Sequence, residues 1–546
     1  MSVALPNVDL RRDHWAIVRD ALRRHVPDRE VLAFGSRATW TAKDYSDLDL
    51  AIMGGEPLSL SAVSALDEAL VESDLPFRVD IVDWARIDEG FRAIIRRHAV
   101  TVQAPTVSTE AAGPRFENWS TLPFSEAFLV NPTVPIQRGS STPFVEMAAV
   151  GPGRRSVRSS VVRKFRGSGS KFCCGDTLLA RITPSLENGK IARYDANTDQ
   201  KVGHGSTEFI VVRGRAEVTD SEYAFYVTRS DLVRSYAIGQ MTGTSGRQRV
   251  PTDSLAHLEV AVPPLPEQRA IAHILGTLDD KIELNRRMNE TLEEMARALF
   301  KSWFVDFEPV RAKMEGRDTG LPKDIADLFP DRLVDSEIGE TPEGWEVFKL
   351  DRLADHHTKS TSPLRSPEEE YEHFSIPAYD AGQRPSIELG AAIRSNKTVL
   401  RRDAVLLSKL NPRIPRVWIP ADSKGRPQVC STEFLVFTPR PPANRSLLFA
   451  LFADQSFRAL LKSMVTGTSK SHQRVPPKAL KTQEVLAGSP RVFRVFGEVI
   501  GSMLEGVLKN RSEVTTLAAL RDTLLPKLIS GDIRVPDAER ALESAT

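Results

Sequence analysis

The sequence predicts a multidomain α/β protein: a small α/β domain comes first, and two mixed α/β domains joined by a long antiparallel two-helix coiled coil follow it. Three observations carry this prediction. Short motifs recur in the same order at a nearly constant offset, each copy ends in a long helical pattern, and the N-terminal segment has no counterpart in the repeat. At 546 residues the chain is also too long for a single core, since domains average ~150 residues.

The composition excludes several classes of protein. The formal net charge is +1, so any binding of nucleic acid depends on local patches rather than on a global field. Cys173, Cys174 and Cys430 lack the spacing of a zinc site and the pattern of a disulfide framework, which suits a reducing compartment. No apolar stretch approaches the ~20 residues of a membrane span, and no signal peptide is visible. We therefore expect a soluble, cytoplasmic protein that does not contact a membrane.

Pairs of short motifs define the repeat. STEF occurs at 206–209 and again at 431–434, and RVP occurs at 249–251 and again at 474–476 with the same offset. A loop that begins with TGTS precedes each RVP motif. Ordered matches at so large an offset indicate a duplicated domain, because solenoid repeats have much shorter periods. Segments such as TEFIVVRG and TEFLVFTP predict strands within each copy.

Each copy is expected to end in a long helix. The first is predicted over 265–305, where Pro266 fits the first turn and apolar residues follow at alternating four- and three-residue steps. The second is predicted over 489–531, with Pro526 and Gly531 helping to end it.

The two helical seams have similar lengths, which favours antiparallel pairing. The alternative is that each helix packs separately on its own domain. In the antiparallel arrangement Asn289 falls near Asn510, and we hypothesise that this polar pair fixes the register at some cost in stability.

These patterns divide the chain at predicted boundaries. They are 1–105 for the small domain, 106–116 for a linker, 117–264 for the first copy, 265–305 for the first helix, 306–342 for a connecting loop, 343–488 for the second copy, 489–531 for the second helix and 532–546 for a C-terminal tail.

Local charge predicts double-stranded DNA as a ligand. The predicted seam is ~50 Å long, which corresponds to roughly one and a half turns of the duplex. Basic runs lie at corresponding places in the two copies, and arginine can contact phosphates and form two hydrogen bonds with guanine. The alternatives are a solvated surface for the runs and a tight turn for the TGTS loops. The predicted DNA contacts are Arg154, Arg155, Arg158, Arg163, Lys164, Thr244, Ser245, Arg247, Gln248, Arg401, Arg402, Lys409, Arg413, Lys470, His472 and Gln473.

Residues 115–540 resemble the specificity subunits of type I restriction–modification enzymes, which serve in phage defence. The resemblance rests on PPLPEQRAIAHILGTLDDKIELNRRMNETLEEMARALFKSWFVDFEPVRAK, DSEIGETPEGWEVFKL and LLPKLISGDIRV. It implies two target-recognition domains, each recognising half of a bipartite, asymmetric DNA site. It also implies that the helices dock two modification subunits, which carry S-adenosylmethionine and methylate adenine, and that restriction (motor/nuclease) subunits complete the complex. The subunit itself is non-catalytic, and this second copy departs from the family in lacking a clear P-P-L-x-E-Q entry.

The N-terminal segment contains a different pattern. A buried strand, VLAF, runs into Gly35 and Ser36, a turn whose backbone N–H groups could hold phosphate. Strand alternation in SDLDLAI puts Asp47 and Asp49 on one face, and FRVDIVDW adds Asp80. Clustered carboxylates are costly unless a cation joins them, so the three acids predict an Mg²⁺ site.

This set resembles the minimal nucleotidyltransferase domain of the polymerase-β-like superfamily. The resemblance implies transfer of a nucleoside monophosphate from a nucleoside triphosphate to a hydroxyl group, with Asp47, Asp49 and Asp80 as metal-binding catalytic residues. Gly35 and Ser36 would bind phosphate, and Arg37 would either contact phosphate or form a surface salt bridge. An inactive docking fold is the alternative for this domain. For the whole chain, the rivals are a nucleotidyltransferase that modifies a partner protein, with the C-terminal part recruiting it, and a protein scaffold without DNA contact.

Overall fold

The computed structural model shows two compact units, residues 1–120 and residues 121–546. The residues that the structure describes are 8–27, 29–40, 42, 46–54, 58, 66–67, 69–71, 73, 75–87, 92, 95, 99–103, 118–159, 161–196, 200–243, 247–423, 425–465 and 473–543. The predicted linker at 106–116 lies outside them. Within the described part of the chain, no helix combines the length and the apolar character that a bilayer crossing requires.

The N-terminal unit is built on a four-stranded mixed sheet. Its elements are α1 (Arg12–His25), β1 (Val31–Phe34), α2 (Gly35–Ala38), β2 (Leu48–Ile52), β3 (Val79–Asp83) and β4 (Val100–Gln103). The strand order is β3-β2-β1-β4, with β2 and β3 parallel and the other neighbours antiparallel. Val18 and Leu22 of α1 join Val31, Leu48 and Leu50 of the sheet in one buried cluster. The alternation of the strands thus leaves Asp49 of β2 and Asp80 of β3 off this core.

The first repeat combines two sheets with a pair of short helices. Its elements are β5 (Ser120–Pro123), α3 (Phe124–Ala127), β6 (Phe128–Val130), β7 (Ser141–Val145), β8 (Ser156–Val157), β9 (Val162–Lys164), β10 (Ser170–Cys173), β11 (Thr177–Ala180), β12 (Ile191–Tyr194), β13 (Val202–Gly205), β14 (Phe209–Gly214), α4 (Ser221–Arg229), α5 (Asp231–Gly239) and β15 (Glu259–Val262). The strand orders are β10-β13-β7-β9 and β6-β14-β11-β12-β8, and β5 pairs with β15.

One long helix and a short connecting region lie between the repeats, and a second long helix and a short one follow the second repeat. They are α6 (Leu265–Phe304), α7 (Glu308–Met314), α8 (Lys323–Ala326), β16 (Leu333–Ser336) and β17 (Gly339–Pro342), then, after the second repeat, α14 (Pro490–Ser530) and α15 (Val535–Glu543).

The second repeat follows the same plan. Its elements are β18 (Glu346–Lys349), α9 (Leu350–Leu353), β19 (Ala354–His357), β20 (Ser360–Thr361), β21 (Glu370–Phe374), α10 (Ile376–Asp380), β22 (Ser386–Leu389), β23 (Lys397–Val399), β24 (Val405–Ser408), β25 (Val417–Trp418), β26 (Gln428–Cys430), β27 (Phe434–Pro439), α11 (Arg445–Ala453), α12 (Gln455–Ser463), α13 (Pro477–Lys481) and β28 (Glu484–Gly488). The strand orders are β19-β27-β24-β25 and β20-β23-β26-β21-β22, and β18 pairs with β28.

The strand topology confirms that the domain is duplicated. The order β6-β14-β11-β12 corresponds to β19-β27-β24-β25, and β10-β13-β7-β9 corresponds to β23-β26-β21-β22. The one parallel pairing in the latter run also recurs, as β7 with β13 and as β21 with β26. Two copies that share order and strand direction bring their connecting loops to equivalent places.

The two long helices lie antiparallel against each other. Phe300 and Phe304 of α6 contact Phe496 near the start of α14, with ring centroids 5.9 and 5.0 Å apart. Midway, Asn510 Nδ2 donates to Asn289 Oδ1 over 2.9 Å, which confirms the hypothesised polar pair. The helices begin and end within one residue of the predicted bounds. Regular coiled-coil packing along the whole pair stays a prediction.

Pro526 does not end the second helix, contrary to the prediction. The helix continues through Pro526 to Ser530 and ends at Gly531, whose φ of 75° is left-handed. Proline removes one helical hydrogen bond, but Leu528 and Ile529 beyond it are 1 % and 6 % exposed. Apolar burial of the last turn therefore holds the helix past the proline.

The segment at 306–342 is not a simple connecting loop. Besides α7 and α8 it contains a hairpin of β16 and β17, and its Phe307 and Phe329 are buried. Phe329 contacts Trp303 edge-on, and both phenylalanines contact Trp345. The charged, Pro- and Gly-containing composition predicted a loop, but a few large apolar side chains fold the segment onto the helix end. The predicted C-terminal tail likewise contains α15, where Ala538 is fully buried.

A buried glutamine attaches the start of α6 to the first repeat. Gln268 is fully buried, and its Nε2 donates to Val218 O over 2.9 Å and to Pro263 O over 2.7 Å. Its Oε1 accepts from Asp220 N over 2.8 Å. The glutamine of the PLPEQ motif is therefore the joint between the domain and the helix.

The second repeat makes this joint differently. Asn444 Nδ2 donates to Phe493 O in the first turn of α14, and a Cβ on Gly497 would overlap the Asn444 side chain. The asparagine that caps α11 therefore reaches the helix, and Gly497 leaves it room. This contact stands where the first copy has the P-P-L-x-E-Q entry, which the second copy lacks.

Candidate nucleotide and DNA sites

Three carboxylates meet at one end of the N-terminal sheet. Asp49 of β2 lies directly opposite Asp80 of the parallel strand β3, and Asp47 immediately precedes β2. Burial first, and then the negative charges of Asp80 and Asp47, raise the pKa of Asp49 above its ordinary value of 3.8. Asp49 therefore lies within electrostatic range of both other acids.

Gly35 brings the start of α2 up against these carboxylates. Phe34, the last residue of β1, pairs with Asp49, and Gly35 follows with a left-handed φ of 75°. A Cβ at this position would overlap the Asp49 carboxylate. A glycine is needed both for the conformation and for the close approach.

The carboxylates suit a hard divalent cation by their chemistry, although their side chains are not in ligand positions. Among the residues that the structure describes, no group of three or more His, Cys, Asp or Glu side chains has the spacing of a metal site. Asp80 Oδ1 instead lies 3.0 Å from Arg78 Nε in a largely exposed ion pair. Repulsion between half-buried Asp49 and the other two carboxylates favours a cation beside Asp49. To bind that cation, Asp80 would have to leave its ion pair with Arg78.

The side chain of Arg37 is buried inside the N-terminal unit rather than exposed at the candidate site. Its side chain is 6 % exposed, Nε donates to Ser46 O over 2.8 Å, and Nη1 donates to Asp9 O over 2.9 Å. The guanidinium also stacks over Phe77 at 3.9 Å. These two partners are main-chain carbonyls inside the unit, and both the phosphate contact and the salt bridge stay predictions for Arg37.

In the first basic run, residues 151–171, two of the predicted DNA contacts join the first repeat to helix α6. Arg154 Nη1 lies 2.6 Å from Glu283 of α6. Arg155 pairs with Asp280 of α6 and, over 3.0 Å, with Glu222 of α4, and its side chain is only 16 % exposed. Their ion pairs within the protein support a structural role.

The rest of this run is more exposed. Arg158 pairs with Asp195, and Arg163 lies over the Phe144 ring at 4.1 Å with Glu146 3.7 Å away. Lys164 is exposed at the end of β9. These three remain the better candidates for a DNA surface in the first repeat.

In the second repeat the predicted contacts are mostly exposed. Arg401, Arg402 and Arg413 are exposed, and Lys409 is partly buried. By contrast Arg416, in the same run, is 8 % exposed and forms two 2.8 Å hydrogen bonds with the Asp380 carboxylate. The structure thus separates surface cations from those that hold the domain together.

The predicted loop contacts fall partly outside the described residues. Thr244, Ser245, Lys470 and His472 lie there. Arg247, Gln248 and Gln473 are at the loop bases, where Gln248 O accepts from Thr183 N over 3.0 Å and Gln473 O accepts from Asn411 N over 2.9 Å. The two loops therefore leave equivalent places in the two repeats.

The sequence prediction missed a buried ionic cluster on α6. Asp279, 2 % exposed, accepts from Tyr226 Oη over 3.0 Å and lies 3.3 Å from Arg229 Nη1, both on α4. Its other oxygen is 2.6 Å from Arg521 of α14. Asp279 directly follows the apolar Leu278 and lies outside the four- and three-residue apolar pattern, so the sequence offers little signal for this cluster.

Family models match both parts of the chain. Residues 157–294 match the type I restriction modification DNA specificity domain, and residues 19–103 match the polymerase beta nucleotidyltransferase family. The HindI specificity subunit of Haemophilus influenzae is 26% identical over 66% of this chain and 86% of its own length. A probable protein adenylyltransferase of the same organism, MntA, is 50% identical over 19% of this chain and 90% of its own length.

A solved structure also aligns with this chain. The type I specificity subunit from M. genitalium covers 76% of this chain and 96% of its own, with 13% identity and a TM-score of 0.42. The sequence matches carry the assignment: the N-terminal segment belongs to the MntA-like nucleotidyltransferases, and the rest of the chain is similar to type I restriction–modification specificity subunits.

Proposed function

We propose that the two repeats recognise the two halves of a bipartite, asymmetric double-stranded DNA site. The observation that carries this proposal is the duplication of one domain on an antiparallel helix pair. The 40 residues of α6 correspond to ~60 Å of helix. Exposed Lys164, Arg401, Arg402 and Arg413 would contact phosphates, and the differing loops GRQ and KSHQ would contact different bases.

The helices would also dock the partners of the complex. Leu284, Met288 and Met295 follow one stripe of α6 and are 52%, 44% and 46% exposed. Exposed apolar side chains in a row support a protein interface. The partners would be two modification subunits, through which S-adenosylmethionine enters the complex, and restriction subunits.

The N-terminal domain would be a nucleotidyltransferase. Asp47, Asp49 and Asp80 would hold Mg²⁺, which would neutralise charge on the triphosphate and on the leaving pyrophosphate. The main-chain N–H groups of Gly35 and Ser36 would bind phosphate. An acceptor hydroxyl would lose its proton, with Asp80 assisting, and form the new O–P bond as the bond to pyrophosphate breaks. The 50% identity to a probable protein adenylyltransferase supports ATP as the donor and a protein hydroxyl as the acceptor.

Two altered chains, one with a double substitution and one without the N-terminal segment, separate the proposed activities. Asp47→Ala with Asp49→Ala should abolish labelling of protein from α-labelled ATP and leave DNA binding unchanged, because the carboxylates belong to the N-terminal unit. Removing residues 1–105 should leave the methylated motif in the cell unchanged. If methylation instead depends on this segment, the chain is primarily a nucleotidyltransferase that the C-terminal part recruits.

Duplex binding tests the DNA proposal directly. The affinity of the chain for DNA should fall steeply with salt, because each phosphate contact releases counterions. Sequencing of the methylome should give one bipartite adenine motif that disappears when the chain is deleted. A chain without salt-dependent binding would be a protein scaffold only.

A further inference from the structure

In the first repeat an ion pair joins the STEF motif to the RVP motif. Arg249 Nε lies 3.0 Å from Glu208 Oε1 and 2.9 Å from Oε2, and Nη2 lies 2.9 Å from Oε1. The main chain connects the same segments: Arg181 N donates to Glu208 O over 2.9 Å, and Val250 N donates to Arg181 O over 2.8 Å. Three chain segments are thus tied together.

The second repeat contains the same arrangement. Arg474 Nε lies 3.2 and 3.0 Å from the two oxygens of Glu433, and Nη2 lies 3.0 Å from Oε1. Lys409 N donates to Glu433 O, and Val475 N donates to Lys409 O, each over 3.0 Å. A basic residue, Arg181 or Lys409, occupies the middle segment in both copies. We refer to the Glu208–Arg249 and Glu433–Arg474 pairs as the clasps.

The clasps are too exposed to serve mainly for stability. In both repeats the arginine side chain is 45% exposed and the glutamate side chain 23% exposed. Ion pairs of this exposure contribute little to folding. Yet the two copies share this geometry although the loops beside it differ, which suggests a task that both copies perform.

Each clasp lies at the base of a TGTS loop. Thr242 and Arg249 exchange two main-chain hydrogen bonds of 3.0 and 2.9 Å, so Arg249 closes the loop. Gln248 and Gln473, which are candidate DNA contacts, come immediately before the clasp arginines. The clasp arginine of the first repeat is therefore also the residue at which the loop returns to its domain.

We infer that the clasps are positioning pairs for DNA recognition, and that each one governs a single half-site. This inference rests on the proposed DNA function. The glutamate and arginine would act by holding the loop, without contacting a base themselves. Opening one clasp would leave the other loop in place, because the pairs belong to separate repeats.

The experiment is selection of bound duplexes from a random pool with the full chain, followed by sequencing. Glu208→Gln should weaken base discrimination in one half of the enriched motif by roughly tenfold, the scale of one lost base contact. Glu433→Gln should do the same in the other half. Glu370→Gln, which opens an exposed pair with Arg426 in the second repeat, is the matched control and should change neither half.

The charge swap Glu208→Arg with Arg249→Glu distinguishes positioning from direct contact. The swapped variant should restore base discrimination, because the ion pair holds the loop whichever position carries the arginine. If Glu208→Gln weakens discrimination and the swap does not restore it, Arg249 itself contacts DNA and the inference is overturned. Equal loss in both halves, or no loss, would also overturn it. Unchanged melting temperature and salt dependence are expected for every variant. If the unaltered chain enriches no bipartite motif, the proposed DNA function itself fails.

Discussion

Arg521 of α14 and Asp279 of α6 form a buried ion pair, with 2.6 Å between guanidinium and carboxylate and side chains 5% and 2% exposed. Because Tyr226 and Arg229 of α4 contact the same carboxylate, one acid joins the first recognition domain to both helices. The orientation of that domain on the helix pair depends on this cluster.

Asp279→Ala should destabilise the C-terminal unit strongly. Removing one member of a buried pair leaves uncompensated charge, here on Arg229 and Arg521, at a cost of about 3–5 kcal/mol. Urea unfolding measures the loss. Glu513→Gln, which opens the half-exposed 3.5 Å pair with Lys281, is the control and should cost below about 1 kcal/mol. Similar effects of both variants would contradict a special role for Asp279.

The asparagine pair should behave as a unit. Asn289→Leu or Asn510→Leu alone leaves one buried amide without its partner, at a cost of about 1–3 kcal/mol. The double leucine variant should recover most of that stability, because apolar residues suit the seam. A double-mutant cycle by urea unfolding measures the coupling. Additive losses would show that the hydrogen bond does not link the two positions.

Asp49 should make the stability of the N-terminal unit depend on pH. Its pKa is raised in the folded state, so the folded unit holds that proton more tightly, and the free energy of unfolding falls as pH rises from 3.8 through the raised pKa. Asp49→Asn should therefore be more stable than the unaltered chain at neutral pH, and the difference should vanish below 3.8. Calorimetry of the full chain, compared with a chain lacking residues 1–105, identifies the unfolding transition of the N-terminal unit.

Two controls belong to this pH experiment. Asp20→Asn removes an exposed carboxylate from α1 and should not produce the same gain. Added Mg²⁺ should raise the stability of the unaltered N-terminal unit more than it raises the stability of the Asp49→Asn variant. The reason is that the cation would relieve the repulsion of Asp49 by Asp47 and Asp80. If Asp20→Asn raised the stability as much as Asp49→Asn does, the change in net charge alone would explain the effect.

Gly35→Ala should disable the candidate nucleotide site. The substitution combines a left-handed φ, which costs about 1–2 kcal/mol in a residue with a side chain, with overlap on the Asp49 carboxylate. Nucleotide labelling and the melting temperature of the N-terminal unit are the measurements. Gly153→Ala has a similar φ of 68° but meets nothing within 4 Å, so the melting temperature of the C-terminal unit, in which Gly153 lies, gives the cost of the backbone alone.

Repetition and strand spacing predicted much of this architecture. The offset motifs predicted the duplicated domain, the alternation in SDLDLAI predicted that Asp47 and Asp49 share a face, and the strand pattern of FRVDIVDW added Asp80. Tertiary burial overrode local signals elsewhere: Leu528 holds the helix beyond Pro526, and Phe329 folds the connecting segment. Basic runs could not separate Arg155, which pairs with acids of other elements, from surface Lys164, because the partners are distant in sequence.

Main-chain atoms are the same in every protein, and Gln268 bonds only such atoms, two carbonyls and one amide of the preceding domain. The joint thus makes no demand on the side chains at Val218, Asp220 and Pro263 beyond their backbone path. Genetic exchange of the whole preceding domain for another of the same fold would leave this joint unaltered, and the incoming domain would need only matching partners for Asp279, Asp280 and Glu283 of the helix. New sequence preferences could then arise by recombination, without a redesign of the helices.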